Sequence, residues 1–312
     1  MPELPEVQTT VSGLDSHIRG LTIRDVWTSY NSAFHTGKDS IKDPKYFVGF
    51  KKALTGSTIT KVTRRAKNVL IHIKKDQTES VILVHMKMTG HIMYGDYDRA
   101  DPFNRFIRFI ITFTNGKTLE LSDMRKFAKV TLINEVEAMK SEHLAGIGPE
   151  PLDEVFSYEV FLKCLSRKPK GKIKTVLMDQ SVIAGIGNIY SDEALWRASI
   201  HPETPAGHID EIHLKKLYAD ILAVLRDGID FGGDSMSDYR NIHGKRGSFQ
   251  GQHQAYRKTG KPCTFIFPTK LGRSKVARGV EDIKGSPCTG VITRKVVGGR
   301  SAHFCNVHQK LF

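Results

Sequence analysis

Between residues 21 and 134 the apolar residues recur roughly every second position in short runs, and beyond residue 157 they recur at helical spacing. This change of period constrains the fold more than any single motif, because one pattern does not serve both structures. The β-type runs are LTIRDVW, STITKVTRR, NVLIHIKK, SVILVHMKM, RFIRFIITFT, KTLELSD and FAKVTLI, separated by turn signals such as Asn115-Gly116. Many strands at close spacing, without intervening helices, predict a sandwich or barrel-like domain. Ahead of them Val7, Val11, Leu14 and Ile18 lie at helical spacing and Gly20 closes the run, so an amphipathic helix is expected from about Pro2. The later runs YEVFLKCLSR, IKTVLMDQ, NIYSDEALWRA and DEIHLKKLYADILAVLRDGI read as helices. Residues 232–254, rich in Gly, Ser, Gln and His, read as a flexible loop. The fold class is therefore α+β. The expected boundaries are 1–135 for the helix and β-sandwich, 136–157 for a linker, 158–254 for the helical domain and 255–312 for a cysteine-bearing lobe.

Charge narrows the class of partner. The chain carries 47 Lys and Arg against 33 Asp and Glu, a formal net charge of +14. A surplus of that size points to a polyanion, nucleic acid first and an anionic membrane surface second. A merely basic soluble protein is the plain alternative. FNRFIRFI, apolar and basic together, suits a sheet with one face to a core and one to an anion. No stretch approaches the ~20 apolar residues of a membrane span, and the longest apolar run, VILV at 81–84, is strand-sized. The N-terminus lacks a basic region followed by an apolar core, so an intracellular, cytoplasmic protein is expected.

The four cysteines are Cys164, Cys263, Cys288 and Cys305. With His308 the last three form C-x24-C-x16-C-x2-H. Two β-type runs flank Gly298-Gly299 between the second and third cysteines, the signature of a hairpin. Three thiolates and one imidazole around Zn2+ would clamp such a hairpin, and this lobe has few large apolar residues to hold itself. Cys263 stands far from Cys288, so a free thiol is the alternative there. His303 competes with His308, but strand alternation puts it on the opposite face from Ala302 and Phe304. Cys164 lies in an apolar helical run and reads as core.

MPELPE poses a separate question. Pro near a helix start and Glu near its N-terminus suit helix geometry and dipole, which would explain Pro2, Glu3, Pro5 and Glu6 without chemistry. However, MPELPE, the C-terminal cysteine hairpin and DQSVIAGIGNIYSDEALWRASIHP together resemble the formamidopyrimidine-DNA glycosylase family. The likeness runs from Met1 to Lys310. It implies a β-sandwich joined to a helix–two-turn–helix domain with a zinc-bound hairpin, one structural Zn2+, and a monomer acting on damaged double-stranded DNA in base excision repair, near the nucleoid. The family excises oxidised purines, and the related endonuclease VIII enzymes excise oxidised pyrimidines.

The resemblance gives the terminus a chemical meaning. Loss of Met1 would leave Pro2 with a free secondary amine, and terminal amines titrate near ~8 against ~10.4 for lysine. Pro2 is then the implied nucleophile at the sugar C1′, forming an iminium that drives base loss and strand cleavage by β,δ-elimination. Glu3 matches the catalytic acid, and Glu6 a residue that positions the terminus, though Glu6 also suits a simple helix cap. Lys67 matches a lysine that reaches the lesion nucleotide; a solvated lysine is the alternative. Met88, Arg125 and Phe127 match the residues that fill the gap left by an extruded base. Without the resemblance, Met88 and Phe127 would read as core. His85 matches a phosphate contact, or is a core imidazole. Lys174 matches a lysine near the damaged nucleotide, Asn188 a phosphate contact after two glycines that let backbone approach a phosphate, and Arg300 a phosphate contact at the hairpin tip. Residues Asp238 to Gln252 correspond to the loop that closes over the extruded purine.

The match frays in the hairpin lobe. The family begins its finger with C-x2-C, but here Ile266 stands in the second position and the cysteine is displaced to Cys288. An insertion within about 264–287 accounts for this at little loop-closure cost. Its basic centre, Arg273, Lys275 and Arg278, is expected to add a phosphate contact or a partner surface. His308 replaces a ligand that is cysteine in many members. An endonuclease VIII-like glycosylase, a non-catalytic DNA-binding zinc protein and an RNA-binding module remain as rival expectations.

Overall fold

The computed structural model describes residues 1–30, 32–268 and 285–312. Arg273, Lys275 and Arg278, with the contact expected of them, lie outside the described residues. The chain forms two compact units whose stretches interleave along the sequence.

The larger unit comprises Met1–Phe156, Asp179–Gly187 and Leu222–Gln252. It opens with helix α1 (Leu4–Ile18), followed by β1 (Ile23–Thr28), α2 (Pro44–Leu54), β2 (Thr58–Arg65), β3 (Asn68–Lys75), β4 (Thr78–His85), β5 (Gly90–Tyr94), β6 (Ile107–Phe113), β7 (Thr118–Asp123) and β8 (Lys129–Asn134). Two antiparallel four-stranded sheets result, in the orders β1-β6-β7-β5 and β2-β3-β4-β8. Alternating residues of both sheets share one core: Val26, Ile92, Phe109, Ile111 and Leu121 from the first, Ile59, Val69, Ile71, Ile82 and Val84 from the second. Val7, Val11, Leu14 and Ile18, the predicted stripe of α1, join the same core. Burying each such side chain stabilises by about 1.5–3 kcal/mol. The sandwich and the leading helix are thus as expected.

Two expectations need correction. Strands do not follow one another without a helix: α2 lies between β1 and β2. Tyr46, Phe47, Val48 and Phe50 favour strands, which hides it, but the start signal is present. Asp43 caps the helix by accepting the Lys45 N–H at 2.8 Å, and Pro44 occupies its first turn. Second, the stretch after β8 is packed. Ala138 and Leu144 bury themselves against Leu70, Val81 and Leu83, which point away from the main core.

The other unit comprises Ser157–Met178, Asn188–Ile221 and His253–Phe312. It carries α3 (Tyr158–Leu165), α4 (Ile173–Met178), α5 (Asn188–Ala198) and the first half of α6 (Glu211–Asp230). Cys164 is buried in α3, as expected of a core residue. Two short strands, β9 (Ile266–Phe267) and β10 (Ser286–Pro287), pair antiparallel. The predicted hairpin is β11 (Ile292–Val297) with β12 (Arg300–Cys305). Its two-residue turn needs positive φ at both central positions, and Gly298 and Gly299 supply 56° and 76°. Among the described residues no helix is long and apolar enough to cross a membrane.

Asp43 also accepts the Gly37 N–H at 2.7 Å. Replacing it with alanine is expected to destabilise the protein by about 1–2 kcal/mol, read from the urea midpoint. An unchanged midpoint would contradict the capping role assigned to Asp43.

Candidate active site and metal centre

In the larger unit the N-terminus is fastened on several sides. The Glu3 N–H donates to Glu6 Oε2 at 2.7 Å, part of a capping box at the start of α1. Glu6 Oε1 accepts the Asp234 N–H at 2.8 Å. The Leu4 N–H donates to the Gly185 carbonyl at 3.0 Å. Pro2, Glu3 and Glu6 are all buried, Glu3 at 2% exposure. Ends of chains usually fray; these ties hold this one.

The glycines of GIGNIY make that arrangement possible. A Cβ on Gly187 would lie 2.3 Å from the Glu3 carboxyl carbon, and one on Gly185 would lie 2.6 Å from Leu4 Cδ1. Gly185 also has φ +83°, which disfavours a side chain on its own. The loop is braced by Gln180, whose Oε1 accepts the Gly185 N–H and whose Nε2 donates to the Ile186 carbonyl, both at 2.8 Å. Lys67 Nζ donates to the same carbonyl at 2.8 Å. Lys67 is only 6% exposed, so it is not a solvated lysine.

Glu150, within the stretch read as linker, sets the position of Lys67. Its carboxylate accepts from Arg64 Nη1 at 2.5 Å, Arg65 Nη1 at 2.8 Å and the Ala66 N–H at 2.6 Å. Burial opposes its ionisation, but these donors outweigh it and hold its pKa below the usual carboxylate value. Ala66 has φ 50°, a left-handed turn that this network stabilises immediately before Lys67.

Met88, Arg125 and Phe127 come together on the surface. Arg125 Nη1 lies 3.3 Å from Met88 Sδ, and its guanidinium sits 4.5 Å from the Phe127 ring centroid. Met88 and Phe127 are 42% and 47% exposed, so neither is core. Buried Asp123 anchors the segment, accepting from Tyr30 Oη at 2.7 Å, Thr89 Oγ1 at 2.5 Å and the Ala128 N–H at 2.8 Å. His85 is partly buried, and its Nδ1 accepts the Lys87 N–H at 3.0 Å, which leaves the ring proton on Nε2. Burial, with repulsion from Lys87 and Lys67, pushes its pKa down to about 3, so the ring is neutral at pH 7.

In the other unit Asn188 begins α5 and lines a cavity of about 420 Å³ with Tyr256, Arg257, Arg294, Ser301 and His303. Asn188 Oδ1 is buried without a partner among the described residues. Lys174 is elsewhere than a DNA contact requires: it is wholly buried and ion-paired to Asp192. The other oxygen of Asp192 accepts from the His303 N–H and Nδ1, both at 3.0 Å. His303 is thereby committed away from the cysteines. Arg300 is exposed at the first position of β12.

The cysteine lobe gathers the four expected residues. One ligand atom from each of Cys263, Cys288, Cys305 and His308 lies within 4.8 Å of the others, so the cluster could hold a metal ion. Cys263 Sγ is 3.3 Å from His308 Nδ1, and Cys288 Sγ is 3.7 Å from Cys305 Sγ. His308 Nε2 donates to the Trp196 carbonyl at 3.0 Å, leaving Nδ1 as the ligand atom. Phe265 stacks on His308, centroids 4.2 Å apart at 7°. Gly290 is required here, since a Cβ would lie 2.4 Å from Cys305 Sγ. Burial pushes the Cys263 thiol up to about 12, and a bound cation reverses that preference.

Residues 1–130 match the model of the formamidopyrimidine-DNA glycosylase N-terminal domain, and residues 147–240 that of the formamidopyrimidine-DNA glycosylase H2TH domain. A formamidopyrimidine-DNA glycosylase of Bacillus subtilis strain 168 is 35% identical over 305 residues, covering 98% of each chain. The chain belongs to the formamidopyrimidine-DNA glycosylase family. A relative of the same name from Heliobacterium modesticaldum is 34% identical over 99% of this chain and 100% of its own. The Lactococcus lactis Fpg structure in complex with DNA containing an abasic site superposes with a TM-score of 0.78 at 30% identity, covering 99% of both chains.

Several residues that brace the candidate residues within each unit have no individual role that the sequence alone assigns. Gln180, Asp192 and Glu150 act through partners distant in the chain. Glu193 is another: its carboxylate accepts the N–H groups of Gln254, Ala255 and Tyr256 at 2.7–3.0 Å, shaping the segment that carries Tyr256. Gly187→Ala is expected to cost about 1–3 kcal/mol by overpacking against Glu3. In a Glu3→Ala background the same change should cost well under half as much, measured as a double-mutant cycle in urea. Equal costs in both backgrounds would show that Glu3 does not occupy the glycine's space.

Proposed function

We propose that this protein is a bifunctional DNA glycosylase and abasic-site lyase that removes oxidised purines, 8-oxoguanine and formamidopyrimidines, from duplex DNA. The observation that carries the reading is the ordered N-terminus: Pro2 and Glu3 are buried side by side, with Glu3 seated against Gly187. Ordering a terminus sacrifices conformational entropy, and a site that needs the terminal nitrogen accounts for it. The reported structures of Lactococcus lactis Fpg with abasic-site DNA and with DNA containing N7-benzyl-Fapy-dG support damaged duplex DNA as the substrate.

Once Met1 is removed, the Pro2 nitrogen attacks C1′ of the extruded nucleotide and the bond from C1′ to the base breaks. The base leaves with the electron pair and takes up a proton. The attacking nitrogen loses its proton to Glu3, which passes it to O4′ as the C1′–O4′ bond opens. The product is an iminium between Pro2 and C1′. It acidifies the C2′ protons, so elimination expels the 3′ phosphate and then the 5′ phosphate, leaving a one-nucleotide gap. A proton relay of this kind contributes about 10²–10⁴ in rate. Glu6 holds the terminus in register, and Lys67 acts at the damaged nucleotide. Met88, Arg125 and Phe127 occupy the gap in the duplex, the arginine meeting the orphaned base. His85 serves as a neutral N–H donor to phosphate. Asn188 and Arg300 hold phosphates, and Lys174 supports Asp192 from beneath the surface. Cys263, Cys288, Cys305 and His308 bind one structural Zn2+, which takes no part in the chemistry.

Single-lesion duplexes test the reading. The protein should release 8-oxoguanine and nick the strand, with Glu3→Gln slower by about 10² or more. Pro2→Gly, which keeps a terminal amine of different geometry, should retain only a fraction, and retained Met1 should abolish both steps. Release of oxidised pyrimidines in preference to purines would move the protein to the endonuclease VIII-like branch, and binding without release would make it non-catalytic. Elemental analysis should give one zinc per chain. Cys305→Ser should lose it and lower the melting temperature; a metal-free protein of unchanged stability would refute the site.

A further inference from the structure

Beyond the tie from Glu6 to Asp234, the loop 234–252 is fastened by residues to which the reaction chemistry assigns no role. Arg240 is 3% exposed, and its Nε donates to Asp101 Oδ2 at 2.7 Å. Its Nη1 donates to two carbonyls of the loop, Ser237 at 3.1 Å and Tyr239 at 2.8 Å. The guanidinium lies 4.9 Å from the Phe103 ring centroid. One buried cation therefore gathers the loop backbone and fastens it to a carboxylate in the segment between β5 and β6. Burial opposes ionisation of Asp101, but donation from Arg240 outweighs it and keeps the carboxyl below its usual range.

A second tie lies beside the first. Asn104 Nδ2 donates to the Gly244 carbonyl at 2.9 Å, and Asn104 Oδ1 faces His91 Nε2 at 2.9 Å. With the amide nitrogen engaged by a carbonyl, the oxygen accepts and His91 donates. Burial pushes His91 down to about 4, so it remains a neutral donor. Gly244 has φ +71°, and a Cβ there would lie 2.5 Å from Asn104 Nδ2. The Tyr94 and Asp98 N–H groups complete the seam, donating to the Ile242 and His243 carbonyls at 2.9 and 3.1 Å. The glycine-rich loop is thus tied to the segment between β5 and β6 through both Arg240 and Gly244.

We propose that Asp101 and Asn104 are positioning residues for base recognition, clasping the loop through Arg240 and Gly244 so that it meets an extruded base already ordered. This rests on the glycosylase reading above. A loop ordered in advance loses less conformational entropy when it closes on a base. An abasic site presents no base, so strand cleavage there does not draw on the clasp. The two activities should separate.

The test compares single-turnover rates on a duplex with one 8-oxoguanine and on a duplex with one preformed abasic site. In Asp101→Asn and in Asn104→Ala, base release should fall about tenfold or more, as expected when a buried charge or hydrogen-bond partner is removed, while abasic-site nicking stays within about twofold. Asp101→Glu, which keeps the charge, should recover part of the loss. Limited trypsin digestion gives an independent readout, because Lys245 and Arg246 are exposed within the loop. Cleavage there should be about tenfold faster in both variants. Parallel loss of both activities, unchanged base release in both variants, or unchanged trypsin sensitivity would overturn the proposal. If the parent protein acts on neither duplex, the glycosylase reading fails, and trypsin sensitivity alone then decides whether the clasp holds the loop.

Discussion

The structure turns on the first turn of α1. A chain terminus has no neighbour on one side and is ordinarily its most mobile part. Here the backbone of Glu3 is bonded to Glu6, Glu6 to Asp234, and Leu4 to Gly185. Each partner comes from a different stretch of chain, and all belong to one compact unit. Two glycines leave the space that Glu3 and Leu4 fill, so the loop 185–187 and the terminus are shaped for each other. Lys67 enters the same neighbourhood through the Ile186 carbonyl, from a turn that Glu150 holds with two arginines. On the mechanism proposed above, the Pro2 nitrogen would be held by these bonds on a fixed scaffold, as precise chemistry requires.

The two units use charge in different ways. In the larger one, buried carboxylates organise turns, Asp123 beneath Arg125 and Phe127 and Glu150 beneath Lys67, while half-buried Asp101 pairs with buried Arg240. Removing one partner of such a pair leaves a buried charge uncompensated, so each is a point of high sensitivity. In the other, Asp192 and Glu193 sit side by side on α5 and direct two separate segments, one carrying His303 and one carrying Tyr256. Among the described residues the cysteine lobe has little apolar core beyond Trp196, Phe265, Phe267 and Ile292, and its four metal-type donors could hold an ion that would compensate for it.

What was legible in the sequence was whatever depends on local periodicity or on near neighbours. The α1 stripe, most strands, the Gly298-Gly299 hairpin and the choice of His308 over His303 all follow from spacing. Helix α2 is hidden because its aromatic and β-branched residues favour strands, although Asp43-Pro44 marks its start. The glycines of GIGNIY stand out in the sequence, but the space they leave for Glu3 and Leu4, some 180 residues earlier in the chain, does not. Gln180, Glu150 and the Asp101–Arg240 pair could not be read at all, because a buried polar contact across long separations leaves no periodic trace. Lys174 shows the converse: its motif was visible, but its burial against Asp192 was not.

Locating the covalent bond tests the central claim most directly. The protein would be incubated with an 8-oxoguanine duplex and borohydride, digested, and the sugar-bearing peptide sequenced by tandem mass spectrometry. The account predicts the remnant on the Pro2 nitrogen of a chain lacking Met1. A remnant on Lys67 or on any other lysine, with Pro2 unmodified, would contradict it.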